Sequence, residues 1–130
     1  METRYINEDV LLFFDEHSKA LALYEMLMER AFKLFPDTAI RVSKTQISLR
    51  NKHIYGCISF LRIKKKKELS DDYFILTLGL PFPLETQRTV IITELYPGRY
   101  TNHILISETA DIDDELFSWL ALAYDFSNSK

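Results

Sequence analysis

The fold is decided by residues Thr89–Ser107, which read TVIITELYPGRYTNHILIS. Apolar and polar side chains largely alternate on both sides of Pro97–Gly98, and a period of two predicts strands. Proline presets one backbone torsion and glycine accepts a positive φ, so this dipeptide is typical of a tight turn. The stretch therefore predicts an antiparallel hairpin, with one strand ending at Leu95 and the next beginning at Tyr100.

The residues before this hairpin show the same period. Tyr73–Leu80 is a predicted strand, and His53–Ile63 is apolar on both alternating faces, which is typical of a central strand. Between Thr38 and Leu49 the alternation changes parity near Ser43–Lys44, and this change indicates a bulge or a turn. Residues 38–107 are therefore predicted to form five or six strands, mainly antiparallel because their connections are short.

Both ends of the chain show the three- and four-residue spacing of helices. Residues 7–35 are predicted to be helical, with Asn7 capping a short first helix and Ser18 capping a second. Residues 111–126 are predicted to form a C-terminal helix that Asp111 caps. Helices that cover one face of an antiparallel sheet make a two-layer sandwich. We therefore expect residues 1–130 to form a single α+β domain of this kind.

The composition excludes several classes of protein. A length of 130 residues with 47% hydrophobic side chains fits one domain, and a formal net charge of −3 does not indicate a nucleic-acid partner. Cys57 is the single cysteine, which excludes an internal disulfide and fits a reducing compartment. The sequence has no membrane-length apolar stretch, signal-peptide pattern or glycine-rich phosphate loop. We therefore expect a cytoplasmic protein without a cofactor.

Six segments of the chain together resemble a known family. They are LYEML (Leu23–Leu27), KTQIS (Lys44–Ser48), LGLP (Leu78–Pro81), YPGRYTNH (Tyr96–His103), DDELFSWL (Asp113–Leu120) and AY (Ala123–Tyr124). In this order and spacing they resemble the bacterial family called domain of unknown function 5655, over nearly the whole chain. The resemblance implies a fold and a set of positions rather than a reaction. The order of elements is also similar, in layout only, to frataxin-like iron-chaperone domains.

The most distinctive polar residues of the predicted strands suggest a binding site. The candidates are Lys44, Gln46, Arg99, Tyr100, Asn102 and His103. Ammonium, guanidinium and amide donors would suit a carboxylate or phosphate if the two strands that carry them are neighbours. In the alternative interpretation these groups satisfy turn and edge backbone atoms or remain solvated. We expect first a non-catalytic module that binds an anionic small ligand, a peptide end or a protein partner, and a homodimer stays open.

Three other functions also remain open. His103 could serve as a general acid or base because its intrinsic pKa lies near neutrality. Nucleic-acid binding would combine a basic run with two tyrosines as stacking platforms; these candidates are Arg62, Lys64, Lys65, Lys66, Lys67, Tyr55 and Tyr73. Weak metal binding would follow the frataxin-like analogy. The three histidines lack a short ligand spacing, however, so the sequence predicts no metal site.

Overall fold

A six-stranded antiparallel sheet occupies the middle of the chain, with two helices before it and one after it. The computed structural model describes residues 5–60 and 72–129. The helices are α1 (Glu8–Phe13), α2 (Ser18–Leu34) and α3 (Asp114–Asn128), and the strands are β1 (Ala39–Val42), β2 (Gln46–Arg50), β3 (Ile54–Ser59), β4 (Phe74–Leu80), β5 (Thr89–Tyr96) and β6 (Arg99–Ile106). The strand order is β1-β2-β3-β4-β6-β5, with every pair antiparallel. The predicted α+β architecture is confirmed.

The two faces of the sheet differ in character because successive side chains of a strand point to opposite sides. One face packs with the stripes of α2 and α3 into a single apolar core, which includes Leu27, Leu49, Ile58, Leu76, Leu78, Ile104, Leu116 and Leu120. We call this the helix face. The alternate positions, Gln46, Ser48, Cys57, Ser59, Thr77, Thr101 and His103, belong to what we call the second face. Most polar residues of the central strands thus lie on the second face, and Asn102 on the helix face is an exception.

The predicted hairpin forms between β5 and β6, and each strand extends one residue further into the turn than predicted. Gly98 has a φ of 84°, a left-handed conformation that favours glycine. β5 ends at Tyr96 and β6 begins at Arg99, so Pro97 and Gly98 alone make the turn.

The start of α2 differs from the prediction. Asn7 caps α1 as expected, since its Oδ1 accepts from the Val10 amide at 2.9 Å. Ser18 is instead the first helical residue of α2. The cap comes from Asp72, whose Oδ2 accepts from the Ala20 amide at 2.9 Å and whose Oδ1 accepts from His17 Nδ1 at 2.8 Å. The start of α2 is thereby tied to the beginning of β4.

The C-terminal helix also begins later than predicted. It spans Asp114–Asn128 rather than 111–126, and Asp113 is its N-cap, with Oδ1 accepting from the Leu116 amide at 3.0 Å. Asp111 lies in the short 3-10 helix Thr109–Asp111, where its Oδ2 accepts from the Ser107 amide at 2.9 Å. Both aspartates are good capping residues, so the sequence alone does not distinguish Asp113 from the predicted cap, Asp111.

Candidate functional site

A cleft of about 710 Å³ opens on the second face of the sheet. It is lined by α1, the β1–β2 turn and the strands β2, β3, β4 and β6, through Phe13, Lys44, Thr45, Gln46, Cys57, Ser59, Phe60, Thr77, Thr101 and His103. We refer to these residues as the cleft. Its size lies in the range of sites for small molecules.

The floor of the cleft is a polar row that crosses four strands. Cross-strand pairing places Ser48 opposite Cys57, Cys57 opposite Thr77 and Thr77 opposite His103. Thr77 Oγ1 and His103 Nδ1 lie 2.8 Å apart, and Gln46 Nε2 donates to Ser48 Oγ at 3.1 Å. The row results from strand parity, because these residues alternate with the core residues Ile58, Leu76 and Leu78.

His103 and Cys57 are both held in their neutral forms. Burial lowers the pKa of the half-buried His103 imidazole below its ordinary value of 6.5, so its neutral form dominates at pH 7. Burial raises the pKa of the Cys57 thiol, and a hydrogen bond with Ser48 opposes that rise. The cleft floor therefore offers neutral hydrogen-bonding groups rather than a thiolate or an imidazolium.

Two phenylalanines form the apolar wall of the cleft. The rings of Phe13 and Phe60 stack with their centroids 5.1 Å apart, and Phe60 also stacks on His17 at 4.2 Å. Since His17 is hydrogen-bonded to Asp72, the wall is anchored to the start of α2. Phe13 and Phe60 therefore give the cleft an apolar side.

The structure brings three of the six sequence candidates into the cleft, namely Lys44, Gln46 and His103. Asn102 lies on the helix face with 0% of its surface exposed, where its Oδ1 accepts from the Leu84 amide at 2.8 Å. Tyr100 donates to Glu94 Oε2 at 2.8 Å. Asn102 and Tyr100 lie outside the cleft because their positions in β6 point to the face of the sheet opposite to that of His103.

Arg99 does not line the cleft, and its guanidinium lies over Gly79 near the end of β4. Its guanidinium carbon lies 5.4 Å from the centroid of the Phe126 ring. It also crosses Gly79, where a Cβ would come within 3.1 Å of Arg99 Nη2. Gly79 therefore leaves the space that the arginine occupies.

The two tyrosines proposed for nucleic-acid binding are both at least partly buried. Tyr55 is not a surface platform, because only 1% of it is exposed; its hydroxyl lies 2.7 Å from Thr38 Oγ1, and burial raises its pKa to about 12. A register shift between Leu49 and Arg50 changes the parity at this point, which explains its burial. Tyr73 is half-buried just before β4. Arg62, Lys64, Lys65, Lys66 and Lys67 lie outside the described residues.

Within residues 5–60 and 72–129, no group of three or more His, Cys, Asp or Glu side chains is placed to hold a metal ion. The same part of the chain contains no helix long and apolar enough to cross a membrane.

Sequence reasoning missed most of the cleft. Cys57, Ser59, Thr77 and Thr101 are small polar residues at alternate positions of central strands, and strict attention to parity could have grouped them. Phe13 and Phe60 carried no such signal, because both read as core residues of a helix and a strand.

The fold and the cleft together define a small α+β domain with a ligand-sized depression on the second face of its sheet. The family model described as Domain of unknown function (DUF5655) matches residues 12–127. The chain belongs to this family, as its motifs suggested. No curated protein and no solved structure matches it.

Proposed function

We propose that this protein is a binding domain whose cleft takes a small molecule with an anionic group. The observation that carries the proposal is the charge of the cleft: of the described residues that line it, Lys44 alone carries a full charge and none is acidic. A carboxylate at the Lys44 ammonium would form a charge-assisted hydrogen bond, and because Lys44 is exposed this pair is worth about 0.2–1 kcal/mol.

The uncharged residues of the cleft indicate what the rest of the ligand should be. The Phe13 and Phe60 side chains suit an apolar or aromatic body, and aromatic contacts are worth about 0.5–1.5 kcal/mol beyond area burial. Thr77, Thr101 and the neutral His103 offer hydrogen bonds along the floor. The best-fitting ligand is therefore an aromatic or apolar acid rather than an inorganic anion.

The free thiol of Cys57 supports a reducing, cytoplasmic location.

Paired probes test this proposal. We expect 3-phenylpropionate, added to the ¹⁵N-labelled protein, to shift the amide signals of Gln46, Cys57, Thr77 and His103. The neutral isostere 3-phenylpropanamide should bind up to about fivefold more weakly, because it loses the interaction of about 1 kcal/mol or less between the carboxylate and the exposed Lys44 ammonium.

Two lysine variants test whether the ammonium group of Lys44 binds the carboxylate of the ligand. Lys44→Gln should weaken the carboxylate to the level of the amide, whereas Lys52→Gln, at an exposed lysine between β2 and β3, should leave its affinity unchanged. If neither probe shifts the cleft signals, or if both variants behave alike, the proposal is wrong.

A second candidate function is acid–base catalysis by His103. The observation in its favour is the 2.8 Å approach of Thr77 Oγ1 to His103 Nδ1, which is the distance between a nucleophile and its base. Turnover of p-nitrophenyl acetate above the rate of free imidazole would support catalysis, if His103→Gln and Thr77→Val each remove it. A rate equal to that of free imidazole would rule out this esterase chemistry.

A further inference from the structure

A second groove adjoins the cleft. It lies between α1 and the β1–β2 turn, has a volume of about 710 Å³, and is lined by Asp9, Leu12, Phe13, Val42, Ser43 and Lys44. Phe13 and Lys44 line both the groove and the cleft. The two depressions therefore meet at the residue that we expect to bind the anionic group.

The shared position of Lys44 is fixed by its turn. Ser43 Oγ accepts from the Gln46 amide at 3.2 Å and donates to the Gln46 carbonyl at 3.1 Å, and Ser43 N donates to the same carbonyl at 2.9 Å. These bonds close the turn over Lys44 and Thr45. The turn thus presents the lysine at the junction of cleft and groove.

The groove suits an uncharged chain. Leu12 is 68% exposed, and burial of such a side chain against a ligand is favourable because apolar surface leaves water. Val42 adds a second apolar contact. Asp9 is exposed in the groove and would repel a second anionic group on the ligand.

We propose that the ligand is an N-acylated α-amino acid, the chemistry found at the C-terminus of a peptide. Its carboxylate would bind at Lys44, its side chain would enter the cleft, and its acyl arm would lie in the groove. A ligand that fills both the cleft and the groove while its carboxylate binds at Lys44 must extend in two directions. The α-carbon of an N-acylated amino acid meets this need, because it carries the carboxylate, a side chain and an acylamino group. This inference rests on the proposed function of the cleft.

A series of three probes tests whether the acyl arm of the ligand binds in the groove. We expect affinity to rise from 3-phenylpropionate to N-acetyl-L-phenylalanine and about tenfold further to N-hexanoyl-L-phenylalanine, because each buried methylene strengthens binding. N-acetyl-Ala-Ala-Phe, which presents a peptide end, distinguishes the source. Tighter binding of this peptide than of the hexanoyl compound indicates a peptide partner, and the reverse indicates an acylated amino acid.

Variants of α1 provide the control. Leu12→Ser should remove the gain from the hexanoyl arm and leave 3-phenylpropionate unaffected, whereas Leu11→Ser, at a neighbouring leucine that is 50% exposed, should change neither. If 3-phenylpropionate binds in the cleft but the acyl arms add nothing, or if Leu12→Ser has no effect on them, this inference is overturned while the proposed function stands. If none of the probes binds in the cleft, both fail.

Discussion

His103 makes the stability of the protein sensitive to acid. Burial lowers its pKa below the ordinary 6.5, so the unfolded chain binds this proton more readily than the folded one. The stability that the neutral ring contributes is present above pH 6.5 and is lost as the pH falls through the lower, folded pKa. Between pH 7.5 and 5 we therefore expect the wild type to lose more free energy of unfolding than His103→Gln, measured by urea denaturation.

The variant is a fair comparison because glutamine keeps an amide able to bond Thr77. All other ionisable groups are present in both proteins, so their contributions cancel in the difference. Parallel pH profiles for the two proteins would show that His103 does not carry this dependence.

Asn102 is a structural residue rather than part of the binding site. Its Oδ1 accepts from the Leu84 amide in a fully buried position, and its Nδ2 points to the Phe82 carbonyl at 3.5 Å. Leaving a buried amide without its partner costs about 1–3 kcal/mol. Asn102→Ala should lower the free energy of unfolding by that amount and leave the affinity for 3-phenylpropionate unchanged.

Lys44→Gln serves as the opposite control, since it should weaken ligand binding and leave stability nearly unchanged. A loss of binding in Asn102→Ala, at a temperature where the variant is folded, would contradict this assignment.

At the scale of elements, α2 depends on a cap from outside the helix. Asp72 accepts from the Ala20 amide although the two residues are 52 positions apart. Loss of such a cap costs about 1 kcal/mol, so Asp72→Ala should lower the free energy of unfolding by about this amount in urea. Ser18→Ala, which alters the exposed residue that the sequence favoured as the cap, should have little effect. Equal losses in the two variants would refute the cap.

The difference between contacts with near neighbours and contacts with distant segments explains how much of the structure the sequence could predict. The Pro97–Gly98 hairpin and the Asn7 cap depend on neighbours within a few residues, and both were predicted correctly. The Asp72 cap and the insertion of β6 between β4 and β5 depend on contacts between distant segments, which periodicity does not encode. Parity places Asn102 on the strand face opposite His103, but its bond to the Leu84 amide, 18 positions away, is a contact of this distant kind. The sequence therefore named Asn102 as a binding candidate together with Lys44, Gln46 and His103.

For the whole molecule, the strand order predicts a gradient of local stability. β4 lies between β3 and β6, and α3 packs on β3 and β4. β5 is an edge strand paired with β6 whose residues from Ile91 to Tyr96 are all exposed. Edge strands with few buried contacts open locally, whereas central strands open with the whole domain.

Native-state hydrogen exchange measures this gradient. The paired amides of β4 should exchange with a free energy near that of global unfolding, whereas those of β5 should exchange at least about tenfold faster, which corresponds to about 1.4 kcal/mol. Equal protection of the two strands would contradict the prediction and would mean that the edge of β5 is covered in solution. Repeating the measurement at tenfold lower protein concentration then separates two causes: protection that falls on dilution indicates pairing with a second copy, and protection that persists indicates cover within the chain.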